Sequence, residues 1–267
     1  MNLRHVVSCG LACAVLLLTG CDEGRQPPGK VGVRVVNVAP GFELLAYRRE
    51  QETSNEAALS FKGAEQFVYD ADTYDFYVTE RTLNATTSRV WTFAPTLEED
   101  LTYTFVLTEV GGEIQPVVIE HPDPPTTDAQ IVAVHAASGL PALDFYLERP
   151  GVGIAGATPR GSFSAQGQIA PRPVASGDYE LTLTTAGNPA NVVLTTRTIT
   201  LPPGTESTFV VVPEGGQGTA QLSVLLLQGV ASVLYDRNAT SELRYVNGAT
   251  DQGPRSVDRP PSWPGAA

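Results

Sequence analysis

An internal duplication constrains the fold of this chain more than any other feature of its sequence. Tyr74 and Tyr179 are 105 residues apart, and Phe105 and Phe209 are 104 apart. Chance similarity between strand-rich segments would not keep both order and offset, so the chain predicts two copies of a unit of about 100 residues, a common domain size. The repeated blocks are VRVVNVAPG at 33–41 and IVAVHAASG at 131–139, DADTYDFYVTE at 70–80 and VASGDYELTLT at 174–184, and TYTFVLTEVGG at 102–112 and ESTFVVVPEGG at 206–216.

Each unit has the pattern of an all-β domain. Apolar and polar side chains alternate in 74–79 and in 179–184, as they do in strands with one buried face. The runs 105–107 and 209–212 are apolar on both faces, which suits the inner strands of a sandwich. Pro and Gly turn signals separate short runs, and no helical period follows residue 21. The sequence therefore predicts two tandem immunoglobulin-like antiparallel β-sandwich domains.

Tyr74 and Tyr179 each follow a turn and open a strand. This placement resembles the tyrosine corner of immunoglobulin-like domains, in which the hydroxyl bonds to backbone upstream. An inward-facing tyrosine at a strand end is the alternative. We expect both residues to be structural.

The amino-terminal residues have the layout of a secretory signal peptide over 1–20, with Arg4 followed by an apolar run too short to span a membrane. The run ends in Leu-Thr-Gly-Cys, which resembles the bacterial lipobox. The resemblance implies cleavage between Gly20 and Cys21 and lipidation of Cys21, which anchors the chain durably. A plain signal peptide with a chance cysteine is the alternative.

Cleavage at that point would leave Cys21 as the single cysteine, because Cys9 and Cys13 precede it. The folded units would then rely on their cores without a disulfide. Residues 21–29 read as a lipidated tether rich in Pro and Gly. We expect the folded units on the extracytoplasmic side of a bacterial envelope membrane, with the inner and outer membranes both open.

Charge and length define the remaining organisation. The full chain has a formal charge of −12, and loss of Arg4 with the signal makes it −13. An acidic surface argues against nucleic acid as a partner.

The predicted repeats occupy 30–123 and 128–236. Residues 237–267 contain LRYVNGATD at 243–251, a partial third repeat opening, and they form either an added strand or a tail.

The second repeat carries a family resemblance. His135 and Ala136 end its first strand, and Leu-Asp-Phe-Tyr follows at 143–146. This opening resembles domain of unknown function 4397, a family found in tandem in bacterial proteins. The first repeat departs from it, with Asn37 in place of the histidine and Leu45 near the position of the aspartate. The resemblance implies secreted or lipid-anchored proteins with sandwich domains and no established catalysis.

The sequence offers little catalytic chemistry. His121 lies in the Pro-rich segment between the repeats, where we expect it to be solvated, and we expect His135 to cap the turn after its strand. No hydrolase, metalloprotease or phosphate-loop motif is present. Asp70, Asp72 and Asp75 allow a weak calcium hypothesis, although turn-forming acids explain them. We predict no catalytic residue, no metal and no cofactor.

Three function classes follow from these observations. The first is a non-enzymatic, lipid-anchored envelope protein that displays two sandwiches for protein interaction or structural support. The second is a binding protein for carbohydrate or another small ligand that uses a Gly- and Pro-rich loop at 150–173. The third is an enzyme with a site assembled from scattered residues.

Overall fold

The computed structural model describes residues 29–50, 56–81, 88–214 and 221–239. These residues form strands, turns and loops, and they contain no helix. In this part of the chain no helix could therefore cross a membrane. Gly20, Cys21, the rest of the leader and the partial third repeat at 243–251 lie outside the described residues.

The first unit is a sandwich of two four-stranded sheets. Its sheets have the orders β4-β1-β7-β8 and β3-β2-β5-β6. Gly111 and Gly112, both at positive φ, form the tight turn between β7 and β8. The strands are β1 (Lys30–Asn37), β2 (Leu44–Arg49), β3 (Ala57–Ser60), β4 (Ala64–Asp70), β5 (Phe76–Glu80), β6 (Val90–Phe93), β7 (Leu101–Val110) and β8 (Glu113–Pro122).

The second unit repeats this arrangement with two additional strands. Its sheets have the orders β12-β9-β16-β17-β18 and β11-β10-β13-β14, and β15 pairs with β13. The strands are β9 (Asp128–His135), β10 (Leu143–Glu148), β11 (Gly161–Phe163), β12 (Gln168–Ala175), β13 (Gly177–Thr185), β14 (Asn188–Thr195), β15 (Ile199–Leu201), β16 (Glu206–Pro213), β17 (Leu222–Gln228) and β18 (Val230–Leu234).

The all-β fold of tandem sandwiches predicted from the sequence is confirmed. The expectation of purely antiparallel sheets needs a correction, because β1 lies parallel to β7 and β9 lies parallel to β16. In the first unit β1 lies between β4 and β7, and in the second unit β9 lies at the equivalent place between β12 and β16. Val35 pairs with Phe105, and Ala133 pairs with Phe209 at the equivalent position. The same register in both units fits a duplication.

Each sandwich has a separate apolar core. Phe76 is fully buried in the first unit, with its ring 5.3 Å from the ring of Phe105. Phe145 and Phe209 occupy the second core, with ring centroids 5.5 Å apart. These T-shaped pairs hold the two sheets of each sandwich together.

A third apolar layer lies between the two units, where the sheet of β1 and β7 faces the sheet of β9, β16 and β17. The outward side chains of both sheets fill it, so the four sheets form one stack. This explains why the runs at 105–107 and 209–212 are apolar on both faces. The buried members of this interdomain layer are Val36, Val38, Val106 and Ile119 from the first unit, and Val132, Val134, Ala136, Val210, Val212, Leu225 and Leu227 from the second.

The stretch 150–173 is not one loop, as the sequence suggested. The long loop covers 150–160, and the rest is β11, a short turn at 164–167 and most of β12. Pro171 and Pro173 lie in β12, which pairs with β9 on one side and is the edge of its sheet. An edge strand accepts proline because one row of its N–H groups has no ladder partner.

Candidate functional site: the layer between the two sandwiches

A buried polar group joins the two units at one end of the interdomain layer. His121 at the end of β8 is 2% exposed, and its Nδ1 lies 2.9 Å from Oε2 of Glu206 in β16. Its Nε2 lies 3.0 Å from Oγ1 of Thr104, and Thr208 Oγ1 donates to Glu206 Oε1 at 3.0 Å. The hydrogen bond of the ring is the one between Nε2 and Thr104, because the contact of Nδ1 with Glu206 lacks hydrogen-bond geometry.

The expectation that His121 is solvated was wrong. Its flanking prolines gave it the composition of a linker, but β8 continues through it to Pro122. The strand places the ring inside the interface, and the partner carboxylate comes from the other repeat. A contact between residues so distant in sequence leaves no local signal.

Further polar contacts cross the layer at other points. Thr108 Oγ1 donates to Oε1 of Gln166 at 2.6 Å, and Lys62 pairs with Glu214. Burial lowers the pKa of the Arg34 guanidinium, while the Glu206 carboxylate opposes this shift. The two units are thus joined by apolar packing and by paired polar groups.

The first strand of each unit ends at a polar residue that holds the loop after it, Asn37 in β1 and His135 in β9. Asn37 Nδ2 donates to the carbonyl oxygens of Phe42 and Leu59 at 2.9 and 3.2 Å, and its Oδ1 accepts from Ala39 N. His135 is fully buried, with Nε2 3.1 Å from the carbonyl oxygen of Pro141. Both side chains fix the loop after the first strand, which is the role expected for His135.

Burial lowers the pKa of His135. In the unfolded chain the His135 imidazole therefore binds a proton near pH 6.5, whereas in the folded chain it stays neutral at that pH. The free energy of unfolding falls as the pH drops below about 6.5. The fall continues until the pH passes below the folded pKa, with a slope of at most about 1.4 kcal/mol per pH unit.

We expect His135→Asn to remove this part of the pH dependence, because asparagine does not titrate. The variant should still fold, since Asn37 holds the equivalent loop in the first unit. Urea unfolding of both proteins between pH 4.5 and 7.5 measures the difference. Parallel stability profiles for the two proteins would contradict the prediction.

The two predicted corner tyrosines make matching contacts. Tyr74 Oη donates to the carbonyl oxygen of Asp70 at 3.1 Å, and Tyr179 Oη donates to that of Ala175 at 2.6 Å. A guanidinium group also lies over the face of each ring. The Arg49 guanidinium carbon is 4.9 Å from the Tyr74 ring centroid, and that of Arg149 is 4.3 Å from the Tyr179 ring centroid. These contacts brace the chain as it enters β5 and β13.

Asp144 of the family-like opening is buried in a structural role. Its Oδ2 accepts from Gly187 N at 2.8 Å, and its Oδ1 accepts from the Ser162 hydroxyl. The carboxylate thus joins β10 to β11 and to the turn after β13.

Two of the three acids of the weak calcium hypothesis, Asp70 and Asp72, have partners for their side chains. Asp70 pairs with Lys30, and Asp72 Oδ1 accepts from Thr73 N at 2.7 Å. Within the described ranges no three His, Cys, Asp or Glu side chains are grouped to hold a metal ion.

Two surface depressions accompany these features. A shallow pocket of about 140 Å³ lies beside the first tyrosine corner, lined by Arg49, Glu50 and 73–75. A larger cleft of about 310 Å³ opens at the rim of the interdomain layer. Its walls come from both units: Arg34 and 64–66 on one side, Leu227 and 229–231 on the other.

Comparisons with known proteins give distant likenesses. No family model and no curated protein matches the sequence. The Bacillus anthracis TIE protein is 15% identical at a TM-score of 0.22, over 68% of this chain and 34% of its own, so this chain spans about a third of its length. A candidate cell adhesion protein from Bacteroides uniformis is 9% identical at a TM-score of 0.21, over 75% of this chain and 98% of its own.

Proposed function

We propose that this chain is a lipid-anchored, non-enzymatic protein of the bacterial cell envelope. It presents two β-sandwiches as one rigid body for protein interaction or structural support. The observation that supports this proposal best is the buried layer between the units. Domains joined by a small polar interface move relative to one another by default, whereas a large apolar interface holds them.

The stacked arrangement suits display better than it suits enclosure of a substrate. Strand faces that would otherwise be exposed are used to join the units, so the second sandwich is held at a fixed angle to the first. A rigid pair presents its outer surfaces in one orientation, which lowers the entropic cost of binding a partner.

The anchor is the second element of the proposal. With cleavage before Cys21, the tether from Cys21 to Lys30 is at most roughly 30 Å long when extended. The first sandwich would therefore stay close to the membrane surface. The resemblance to domain of unknown function 4397 agrees with this placement, since members are secreted or lipid-anchored.

Cys21→Ala tests the anchor directly. We expect the wild-type protein to sediment with membranes of its source bacterium and to be labelled by a radioactive fatty acid. The variant should be unlabelled and should either enter the soluble fraction or keep its leader. A labelled variant, or an unlabelled wild type, would contradict the lipidation of Cys21.

Crosslinking in intact cells tests the display role. Protein carrying a tag after residue 267 is crosslinked and captured, and mass spectrometry maps the linked peptides. Reproducible links from one sandwich face to one envelope protein would support the proposal. Turnover of a substrate by the purified protein, or links scattered over unrelated proteins, would count against it.

A further inference from the structure

Most edge strands of the four sheets carry features that prevent pairing with another strand. Prolines interrupt β8 and β12, charged residues lie on β4, and β3, β6 and β11 have four residues or fewer. At the β14 edge, Arg237 N donates to the carbonyl oxygen of Thr195 at 2.7 Å. Natural sheets use such devices to block edge-to-edge association.

Strand β18 has none of these devices. Its sequence, Val-Ala-Ser-Val-Leu at 230–234, contains no proline and no charge. It pairs with β17 on one side, and its other edge has no backbone partner among the described residues. Val230 is 86% exposed and Tyr235, just after the strand, is 58% exposed.

We propose that β18 docks the β18 of a second copy of this chain. The two strands pair antiparallel about a two-fold axis at Ser232, so that Val230 faces the second copy's Leu234 and Ala231 faces its Val233. The two five-stranded sheets thereby become one continuous sheet across the dimer. An isologous contact of this kind closes and does not propagate into a filament.

Continuity with the interdomain layer favours a second copy as the occupant. Ala231 and Val233 pack against that layer from its rim. Self-pairing places the same two residues of each copy side by side, so the apolar layers of both copies meet across the new contact.

The charge of the strand itself does not oppose this occupant. Each chain carries a formal charge of −12, yet the pairing strand itself is uncharged. Two copies can therefore meet along β18 without a like-charge pair directly opposite, which would be destabilising.

A cysteine at the two-fold axis provides a sharp test. In full-length protein with Cys9, Cys13 and Cys21 replaced by alanine, we expect Ser232→Cys to form a disulfide-linked dimer under mild oxidation. Residues directly opposite in an antiparallel pair have Cβ atoms about 4.5–5.5 Å apart, close enough for a disulfide after small shifts. The matched control is Val152→Cys in the 150–160 loop, where the side chain is 66% exposed, and it should form no disulfide-linked dimer.

Sedimentation of proteins without added cysteines completes the test. We expect a reversible dimer that Val230→Lys weakens at least tenfold and that Val152→Lys leaves unchanged. Both side chains are largely exposed, so both variants should fold, and circular dichroism checks this. A protein that is monomeric at 100 μM would overturn the proposal. Slow amide exchange along β18 in a monomer would also overturn it, because the edge would then be paired with another part of the same chain.

Discussion

Replacing Val210 with aspartate is expected to separate the two sandwiches while leaving each of them folded. Val210 is fully buried in the interdomain layer, paired with Val134 on one side and Leu225 on the other. An unpaired carboxylate there costs several kcal/mol, because both strand neighbours of Val210 are apolar side chains of the layer. Separation returns the carboxylate to water, so the interface gives way before the cores do. We expect one unfolding transition to become two in calorimetry, with a larger radius of gyration in small-angle scattering.

The neighbouring residue supplies the matched control. Val211 is also fully buried, but its side chain belongs to the core of the second sandwich. Val211→Asp introduces the same group one residue away and should unfold the second unit outright. If Val210→Asp instead leaves the scattering profile unchanged and lowers the free energy of unfolding by less than about 1 kcal/mol, the layer does not hold the units together.

Local pattern was enough to predict much of the strand structure. In β5, Phe76 and Val78 are buried while Tyr77 and Thr79 are partly exposed, as alternation requires. In β13 the same pattern underestimated burial, since Thr182 and Thr184 are buried as well. Alternation identifies the more apolar face of a strand but does not show whether the other face meets water or further protein.

Features that depend on the second unit could not be predicted locally. The doubly apolar runs at 105–107 and 209–212 fit an inner strand of a single sandwich equally well. The carboxylate beside His121 comes from the other repeat, and the prolines near His121 pointed to a solvated linker. The exposed edge of β18 is a property of sheet order, since nothing in its five residues says which neighbour is absent.

Replacing Glu206 with alanine is expected to destabilise the protein by about 3 kcal/mol, the lower end of the range for removing one partner of a buried charged contact. The change removes the oxygen 2.9 Å from His121 Nδ1 inside a buried site. It also removes the carboxylate that offsets the burial of Arg34. Both effects weaken the interface between the units, so the midpoint of urea unfolding should be lower for the variant than for the wild-type protein.

A double-mutant cycle separates the pair from its surroundings. If Glu206 and His121 act together, Glu206→Ala and His121→Ala combined should cost less than the sum of the two single changes, by about 1 kcal/mol or more. Asp70→Ala is the matched control, because its partner Lys30 and the carboxylate itself are largely exposed, and such pairs contribute about 0–1 kcal/mol. Strict additivity of the two single changes would mean that Glu206 stabilises the interface through Arg34 and Thr208 and not through His121.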